Sequence, residues 1–376
     1  MTEDALATGP TTHEGTVVAG KFRLDHVLGE GGMGVVYAAT NLDLLKRVAI
    51  KIIRDELGTS EGLVARLLHE ARSAARLESE HVARVLDVGR MDSGAPYIVM
   101  ECLDGCDLAT HLHASGALSV ETAVLYLLQA CEAVAEAHAA GILHCDIKPE
   151  NLFLSFRPDG ESILKVLDFG IARNLTAHSK TAPNLPEDVV GSPSYMAPEA
   201  MRPDVCVGPA ADIWSLGAVL YELVTAQKPF DADRVADIFD RVMNTQPAPP
   251  RVLAPSIPEG LEAIILRCLT KKEEGRFASV ADLAAALAAF GPAGSAVVAA
   301  RVARIGTSTV PRTFGLRTVS GQTRRQAPRH LGTVSSVRRR SKLRLFAGVL
   351  VGAALASSFA WWGAARWVLA VRTPAP

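Results

Sequence analysis

The pattern of apolar and polar positions divides the chain into a part typical of strands and a part typical of helices. Phe22, Leu24, His26 and Leu28 alternate with other residues, which predicts a β-strand. Short apolar runs, typical of buried strands, lie at 48–53, 97–101 and 163–167. The second of these runs leads into a Gly-containing bend, which suits a hinge between two lobes.

Helical spacing of apolar residues occurs at 63–77, at 119–140 and from residue 212 to about residue 223. Ser119 is placed to cap the second of these helices, whose apolar stripe we assign to the core. Further helices are predicted up to residue 290, where a Gly-Pro pair stops the last one.

A glycine-rich stretch follows the first predicted strand, with glycines at 29, 31 and 34. Glycine lets the backbone approach phosphates closely, because it has no Cβ and adopts positive φ easily. This spacing also occurs in dinucleotide-binding turns, but those open directly into a helix. Here Val35-Val36-Tyr37 predicts a second strand, which favours a hairpin that covers a nucleotide.

Two charged residues interrupt apolar surfaces in the same region. Lys51 lies among apolar neighbours in the strand at 48–53, where an ammonium is costly unless it meets an anion. The alternative is an edge-strand lysine that extends to water. Glu70 lies on the apolar stripe of the helix at 63–77, so it is either a solvated edge residue or the partner of Lys51.

The densest group of candidate catalytic residues is the loop at 144–151, which contains Asp146, Lys148 and Asn151. A carboxylate, an ammonium and an amide suffice to accept a proton, neutralise a phosphoryl group and hold a metal. Asp168 ends the strand at 163–167, where it either starts a turn or supplies a second carboxylate. With Asn151 it would form an oxygen-rich magnesium site.

Charge is distributed unevenly along the 376 residues, whose net charge is −1. Residues 1–290 contain all 40 acidic residues and 25 of the 39 basic ones. This indicates an acidic globular body with a basic tail, and argues against a nucleic-acid-binding protein. The six cysteines offer only one close pair, Cys102 and Cys106, which favours reduced thiols in a cytosolic body over a zinc site.

The two ends of the chain are expected to lie outside the globular body. Residues 1–20 are predicted to be a disordered lead-in without a signal peptide. Residues 291–344 contain 12 basic residues and no acidic one, which predicts a disordered linker suited to anionic lipids; a DNA-binding tail is the alternative.

Residues 345–370 are predicted to form a single transmembrane helix, because the first 21 of them carry no charge. A buried soluble helix is the alternative. The basic residues before the span place residues 1–344 in the cytoplasm, at the inner (plasma) membrane of a bacterium, and leave 371–376 outside as a short tail. Gly348 and Gly352 suit helix pairing, so a homodimer is a further expectation.

The motifs above, taken in chain order, resemble the catalytic domain of bacterial eukaryotic-like Ser/Thr protein kinases over residues 21–290. The resemblance rests on the glycine loop, the Val-Ala-Ile-Lys strand, the His-x-Asp loop, Asp-Phe-Gly at 168–170 and Ala-Pro-Glu at 197–199. It implies an α+β fold of two lobes, with a small mainly β N-lobe and a larger mainly α C-lobe.

The resemblance also implies a role for each matching residue. Lys51, fixed by Glu70, would hold the α- and β-phosphates of ATP, and the backbone of Leu103 would meet adenine. The whole implied ATP-binding set is Leu28, Gly29, Gly31, Gly34, Val36, Ala49, Lys51, Glu70, Met100, Glu101, Leu103 and Asp107.

By the same resemblance, Asp146 would accept the proton of the substrate hydroxyl and Lys148 would neutralise the γ-phosphoryl group. Asn151 and Asp168 would hold Mg²⁺, with Mn²⁺ as an alternative ion. Support for the structure, without direct catalysis, would come from Glu199, Asp212 and Arg276.

The implied function is a membrane-anchored Ser/Thr protein kinase that uses Mg-ATP to phosphorylate protein substrates and itself. A pseudokinase that binds ATP as a scaffold and a small-molecule kinase are the alternatives. One departure from the family pattern is Cys145, where an arginine that pairs with activation-segment phosphate is usual. We therefore expect activity to depend little on phosphorylation of Thr176, Ser179 or Thr181.

Overall fold

The structure is a computed structural model that describes residues 13–31, 34–53, 61–157, 160–169, 193–202 and 205–307. Two antiparallel sheets contain its strands. The larger sheet has the order β1-β2-β3-β4-β6-β5. Its strands span Val17–Val18, Phe22–Gly31, Gly34–Asn41, Lys46–Ile53, Val85–Arg90 (β5) and Pro96–Glu101 (β6). The smaller sheet, β7-β8-β9, consists of Gly105–Asp107, Leu152–Phe156 and Ser162–Val166.

The helices, except the first, follow the larger sheet in the chain and build a mainly helical lobe. In chain order α1 to α9 span Glu61–Ala74, Leu108–Ser115, Val120–Ala139, Pro209–Thr225, Val235–Asn244, Pro250–Leu253, Glu259–Cys268, Val280–Leu287 and Ser295–Thr307. Ser119 caps α3, its side chain accepting a hydrogen bond from the Thr122 backbone N–H, and Ser279 caps α8 in the same way.

Each lobe has its own apolar core. One face of the larger sheet buries Leu24, Tyr37 and Ile50. On the other face, Ile53 and Ile98 pack against α1. The large core of the second lobe is centred on α3 and α4, most of whose apolar residues are buried. The two-lobed α+β fold predicted from the sequence is therefore confirmed.

Two segments that were predicted to be disordered are ordered in part. In the lead-in, Val17 and Val18 form β1 and pair with β2, and Val18 is buried under the sheet. In place of a linker beginning at residue 291, the structure has α9, which packs against α3 and α8 and buries Ala299 and Val302. Burial of an apolar helical stripe explains this order, because it offsets the conformational entropy lost.

Within the described ranges, no helix combines the length and the apolar character needed to cross a membrane. The predicted span at 345–370 lies outside those ranges, as do the activation-segment hydroxyls at 176, 179 and 181.

Candidate active site

The residues predicted to surround ATP converge on one face of the larger sheet. Cross-strand pairing places Val36 opposite Lys51, and Ala49 opposite Met100. Because alternate residues of a strand share a face, all four side chains lie on the side of the sheet that α1 covers. Lys51 is buried there, as its position in an apolar strand predicted.

The glycine stretch forms the predicted hairpin, in which β2 and β3 are antiparallel and Gly31 pairs with Gly34. Gly34 has a φ of 159°, and a Cβ there would lie 2.1 Å from the Ile52 carbonyl oxygen. A larger residue would therefore push β3 away from β4. Gly29 faces open space and Leu28 is half exposed, so this end of the hairpin leaves room for a ligand beneath it.

The predicted hinge contains Glu101, Leu103 and Asp107. The side chains of Glu101 and Asp107 accept hydrogen bonds from other residues of the protein. Glu101 accepts hydrogen bonds from Lys165 Nζ at 2.7 Å and from the Arg84 backbone N–H at 2.9 Å. Asp107 caps α2, where it accepts hydrogen bonds from Thr110 N and Thr110 Oγ1, both at 2.8 Å. The two contacts that the family resemblance implies here, of the Leu103 backbone with adenine and of Asp107 with the ribose, stay predictions.

Lys51 forms an ion pair with Asp168, at 2.8 Å between Nζ and Oδ2. The pairing of Lys51 with Glu70 stays a prediction. Burial of the Asp168 carboxyl opposes its ionisation. The Lys51 charge and hydrogen bond outweigh burial and hold the pKa of Asp168 below its usual range.

This pairing predicts that Lys51→Met raises the pKa of Asp168, because burial then acts with less opposition. The measurement is an NMR titration of the carboxyl carbon in the two proteins. Lys165→Met, which removes an ammonium paired with Glu101, is the matched control and should leave the titration of Asp168 unchanged. An unaltered Asp168 midpoint in Lys51→Met would contradict the assignment of this ion pair.

Asp146, Lys148 and Asn151 lie in mutual contact on the loop that precedes β8. Lys148 Nζ is 3.0 Å from Asp146 Oδ2. Asn151 Nδ2 donates to the Asp146 carbonyl oxygen at 2.7 Å and to Asp146 Oδ2 at 2.9 Å. These contacts fix the orientation of the Asp146 carboxylate.

The same loop is held from behind by Asp212, which is fully buried at the start of α4. Its carboxylate accepts hydrogen bonds from the backbone N–H groups of His144, at 3.0 Å, and Cys145, at 2.8 Å. Cys145 has a φ of 61°, a strained value for a residue with a side chain. The two bonds to Asp212 hold the backbone in this conformation.

His138 completes this support, although the sequence analysis assigned it no role. Its Nε2 lies 2.7 Å from Asp212 Oδ2. Burial opposes ionisation of Asp212, but the hydrogen bond and charge of His138 hold the pKa of that carboxyl below its usual range. A polar residue in the last turn of α3 was the only local signal, and His138 is separated by 74 residues from its partner.

His144 joins the loop that carries Asp146 to the end of β9. The Asp146 backbone N–H donates to His144 Nδ1 at 3.2 Å, so Nε2 carries the hydrogen and donates to the Leu167 carbonyl oxygen at 2.8 Å. In return, the Leu167 backbone N–H donates to the Asn151 carbonyl oxygen at 2.9 Å. Asn151 and Asp168 are thus on two directly bonded segments.

Glu199 and Arg276 form a bidentate ion pair, with Nη1–Oε1 and Nη2–Oε2 distances of 2.6 and 2.8 Å. Both residues are buried, and Arg276 also donates to the carbonyl oxygens of Thr270, Ala210 and Lys271. The ion pair joins the Ala-Pro-Glu turn to α4 and to the loop after α7. Neither residue is near Lys51 or Asp168 in the sequence. This position suits structural support.

Comparison with known proteins agrees with this geometry. A family model described as the protein kinase domain matches residues 22–286. Serine/threonine-protein kinase pkn3 of Myxococcus xanthus is 36% identical over 286 residues, which cover 74% of this chain and 52% of pkn3. For PknB of Mycobacterium tuberculosis the identity is 34% over 270 residues, covering 71% of this chain and 42% of PknB. The crystal structure of the M. tuberculosis PknI kinase domain is similar with a TM-score of 0.58 at 25% identity, covering 73% of this chain and 97% of that domain.

The chain spans about half the length of pkn3 and less than half the length of PknB. The family model nevertheless covers well over half of the chain. It includes every residue of the implied ATP-binding set and the whole loop at 144–151. On this evidence the chain belongs to the protein kinase family.

Proposed function

We propose that the protein is a Ser/Thr protein kinase that transfers the γ-phosphoryl group of Mg-ATP to hydroxyl groups of proteins, including its own. The observation that carries the proposal is the contact of Asp146 with both Lys148 and Asn151, next to the Lys51–Asp168 pair. Relatives named serine/threonine-protein kinases support the choice of acceptor.

In this proposal Asp146 is the base that receives the proton of the attacking Ser or Thr hydroxyl. Its carboxylate is oriented by Asn151 and by the bracing of Asp212, so little reorientation is needed when a substrate binds. Lys148, 3.0 Å from the same carboxylate, supplies the positive charge that stabilises the transferring phosphoryl group. Lys51, on β4 of the larger sheet, binds the phosphates of the nucleotide.

The donor set of Asn151 and Asp168 fits a magnesium ion. Asn151 uses Nδ2 for both contacts with Asp146, and its Oδ1 makes no hydrogen bond with the described part of the chain. Asp168 adds a carboxylate held below its usual pKa, and amide and carboxylate oxygens are the ligands this hard cation prefers. When bound, the ion neutralises charge on the nucleotide phosphates. Mn²⁺ would find the same ligands.

The second candidate function is an ATP-binding scaffold without transfer activity, which the Cys145 departure favours. The full chain, purified in detergent, distinguishes the two functions when nucleotide binding and transfer of labelled γ-phosphate to a generic protein are measured on one sample. Transfer that requires Mg²⁺ supports the kinase. Binding of Mg-ATP with no transfer to any protein supports the scaffold.

We also propose that the helix predicted at 345–370 anchors the kinase domain to the cytoplasmic face of a bacterial membrane, with homodimers formed through Gly348 and Gly352. The uncharged span and the basic residues before it support this proposal. Fractionation of cells that express the full chain and a chain ending at residue 340 tests it. Equal membrane recovery of the two chains would contradict the anchor.

Replacement of Thr176, Ser179 and Thr181 by Ala together is expected to reduce activity by less than about a hundredfold, since that factor equals about 2.7 kcal/mol. The reason is Cys145, which offers no positive charge to a phosphate on this segment. Steady-state kcat/KM of the full chain and of the triple variant is the measurement. A larger loss would mean that another cation takes the place of the usual arginine.

A further inference from the structure

The helix α9 extends the catalytic domain beyond the residues 22–286 that match the family model. It lies against α3 and α8, with Val302 completely buried and Ala299 nearly so. Both residues belong to the large apolar core of the helical lobe. Helix α9 is thus packed into the same apolar core as α3.

One polar contact of α9 is made by Arg301, whose Nε lies 3.2 Å from Glu132 Oε2 on α3. Glu132 is 6% exposed, so its carboxylate has little water to stabilise it. The His81 Nε2 lies 3.9 Å from the same oxygen. Burial lowers the pKa of His81, so the positive charge beside Glu132 comes from Arg301. Burial raises the pKa of Glu132, and the Arg301 charge opposes that rise.

His81 belongs to a segment, residues 78–83, that joins α1 to β5 and is bonded to β9. Its Nδ1 lies 2.9 Å from the Leu164 carbonyl oxygen, and its own carbonyl oxygen accepts a hydrogen bond from Val166 N at 2.8 Å. Ala83 N donates to the Val166 carbonyl oxygen at 3.0 Å. The last residue of β9, Val166, precedes Asp168 by two positions.

Helix α3 also holds this segment through a second carboxylate, one turn after the first. Glu136 accepts hydrogen bonds from the backbone N–H groups of Glu78, at 2.7 Å, and Ser79, at 2.8 Å. Glu132 and Glu136 thus form two adjacent attachments between α3 and residues 78–83. Arg301 supports only the first of them, from a helix outside the family match.

We propose that α9 contributes to catalysis and that Arg301 is a positioning residue. Arg301 acts through Glu132 and His81 on β9, the strand that leads to Asp168. With Arg301 in place, the Glu132 carboxylate lies between the Arg301 guanidinium and the His81 ring. Without Arg301, the buried carboxylate loses the positive charge that opposes the effect of its burial, and it rearranges. The segment 81–83 and the end of β9 then lose one of their supports, and Asp168 is held less well for metal and phosphate.

The role in catalysis rests on the proposed kinase function, so the test uses a structural readout beside a kinetic one. Hydrogen exchange is followed in the full chain at the amides of residues 81–83 and 163–167. We expect Arg301→Met to accelerate exchange there about tenfold, to lower kcat by a similar factor, and to raise the Mg²⁺ concentration that gives half-maximal rate. Arg301→Lys should restore most of each effect, because it keeps the charge.

The matched control is Arg304→Met, which removes the same charge from the same helix at an exposed position. It should leave exchange and kcat unchanged. Glu132→Gln, which keeps the shape of the side chain, should reproduce the effects of Arg301→Met, and combining the two should add little. Exchange that is unchanged in Arg301→Met, or faster exchange with an unchanged kcat, would overturn the proposal.

A wild-type chain that transfers no phosphate would refute the proposed function separately. In that case the exchange measurement alone decides whether Arg301 holds residues 81–83, and unchanged exchange would still overturn the inference.

Discussion

Asp146→Asn is expected to lower kcat by about 10² to 10⁴-fold, the range that a positioned general base supplies. The substituted amide can still accept a hydrogen bond from Asn151, so the loop keeps its shape, but it cannot accept the hydroxyl proton. The binding of Mg-ATP should change little, because the described contacts of Asp146 are with its own loop. Rapid-quench measurement of phosphate transfer, beside calorimetry of nucleotide binding, separates the two quantities.

Asp43→Asn provides the control, since it makes the same chemical change at an exposed position in the turn between β3 and β4. Its kcat should equal that of the unaltered protein. If Asp146→Asn transferred phosphate at the unaltered rate, Asp146 would not be the base, and the role assigned to the loop at 144–151 would have to be abandoned.

Arg276→Met is expected to lower the free energy of unfolding by about 3 to 5 kcal/mol, because it leaves a buried carboxylate without its cation. Glu199 is 6% exposed and Arg276 is 2% exposed, so water replaces little of the lost ion pair. Three carbonyl oxygens, of Thr270, Ala210 and Lys271, would lose their donor in the same substitution. Denaturant unfolding, with the midpoint and slope reported separately, measures the loss.

Arg234→Met is the natural comparison, because Arg234 and Asp237 form an equally bidentate ion pair on the surface. Exposed pairs of this kind contribute little to stability, so the unfolding midpoint should hardly move. If Arg276→Met and Arg234→Met lowered the free energy of unfolding equally, the buried ion pair would not have the stabilising role assigned to it.

The glycine-containing hairpin of β2 and β3 and the helix caps could be predicted because their causes are local. A Cβ at Gly34 would lie 2.1 Å from the Ile52 carbonyl oxygen, and the β-branched residues after Gly34 favour a strand over a helix. Ser119 lies directly before an apolar stripe with helical spacing, and it caps α3 as expected. Once β3, β4 and β6 pair in this register, the two-residue period of a strand places Val36, Ala49, Lys51 and Met100 on one face of the sheet.

The ion pair of Lys51 with Asp168 could not be predicted, because the two residues are separated by 117 positions in the chain. The sequence shows which charged groups are available, but the packing of the loop after β9 against the larger sheet decides that these two meet. The contact of His138 with Asp212 was missed for a related reason, since neither residue has a distinctive neighbourhood in the sequence.

The helix α9 was missed although its signal was present. Val298, Ala299, Val302 and Ile305 have helical spacing, and all contribute to the core or pack against it. The composition of the whole basic tail, without an acidic residue after 290, outweighed this short pattern. The average composition of residues 291–344 therefore gave no indication of this helix of 13 residues. Its stability comes from packing against the core and not from its own helix propensity.

Identification of the phosphorylated side chains after incubation of the full chain with Mg-ATP tests the central claim most directly. We predict that mass spectrometry finds phosphate on Ser and Thr residues of the protein and of an added protein substrate, and finds none when Asp146→Asn replaces the unaltered chain. Mg-ATP that binds without any phosphorylated residue in either protein would contradict the claim and identify the protein as a nucleotide-binding scaffold.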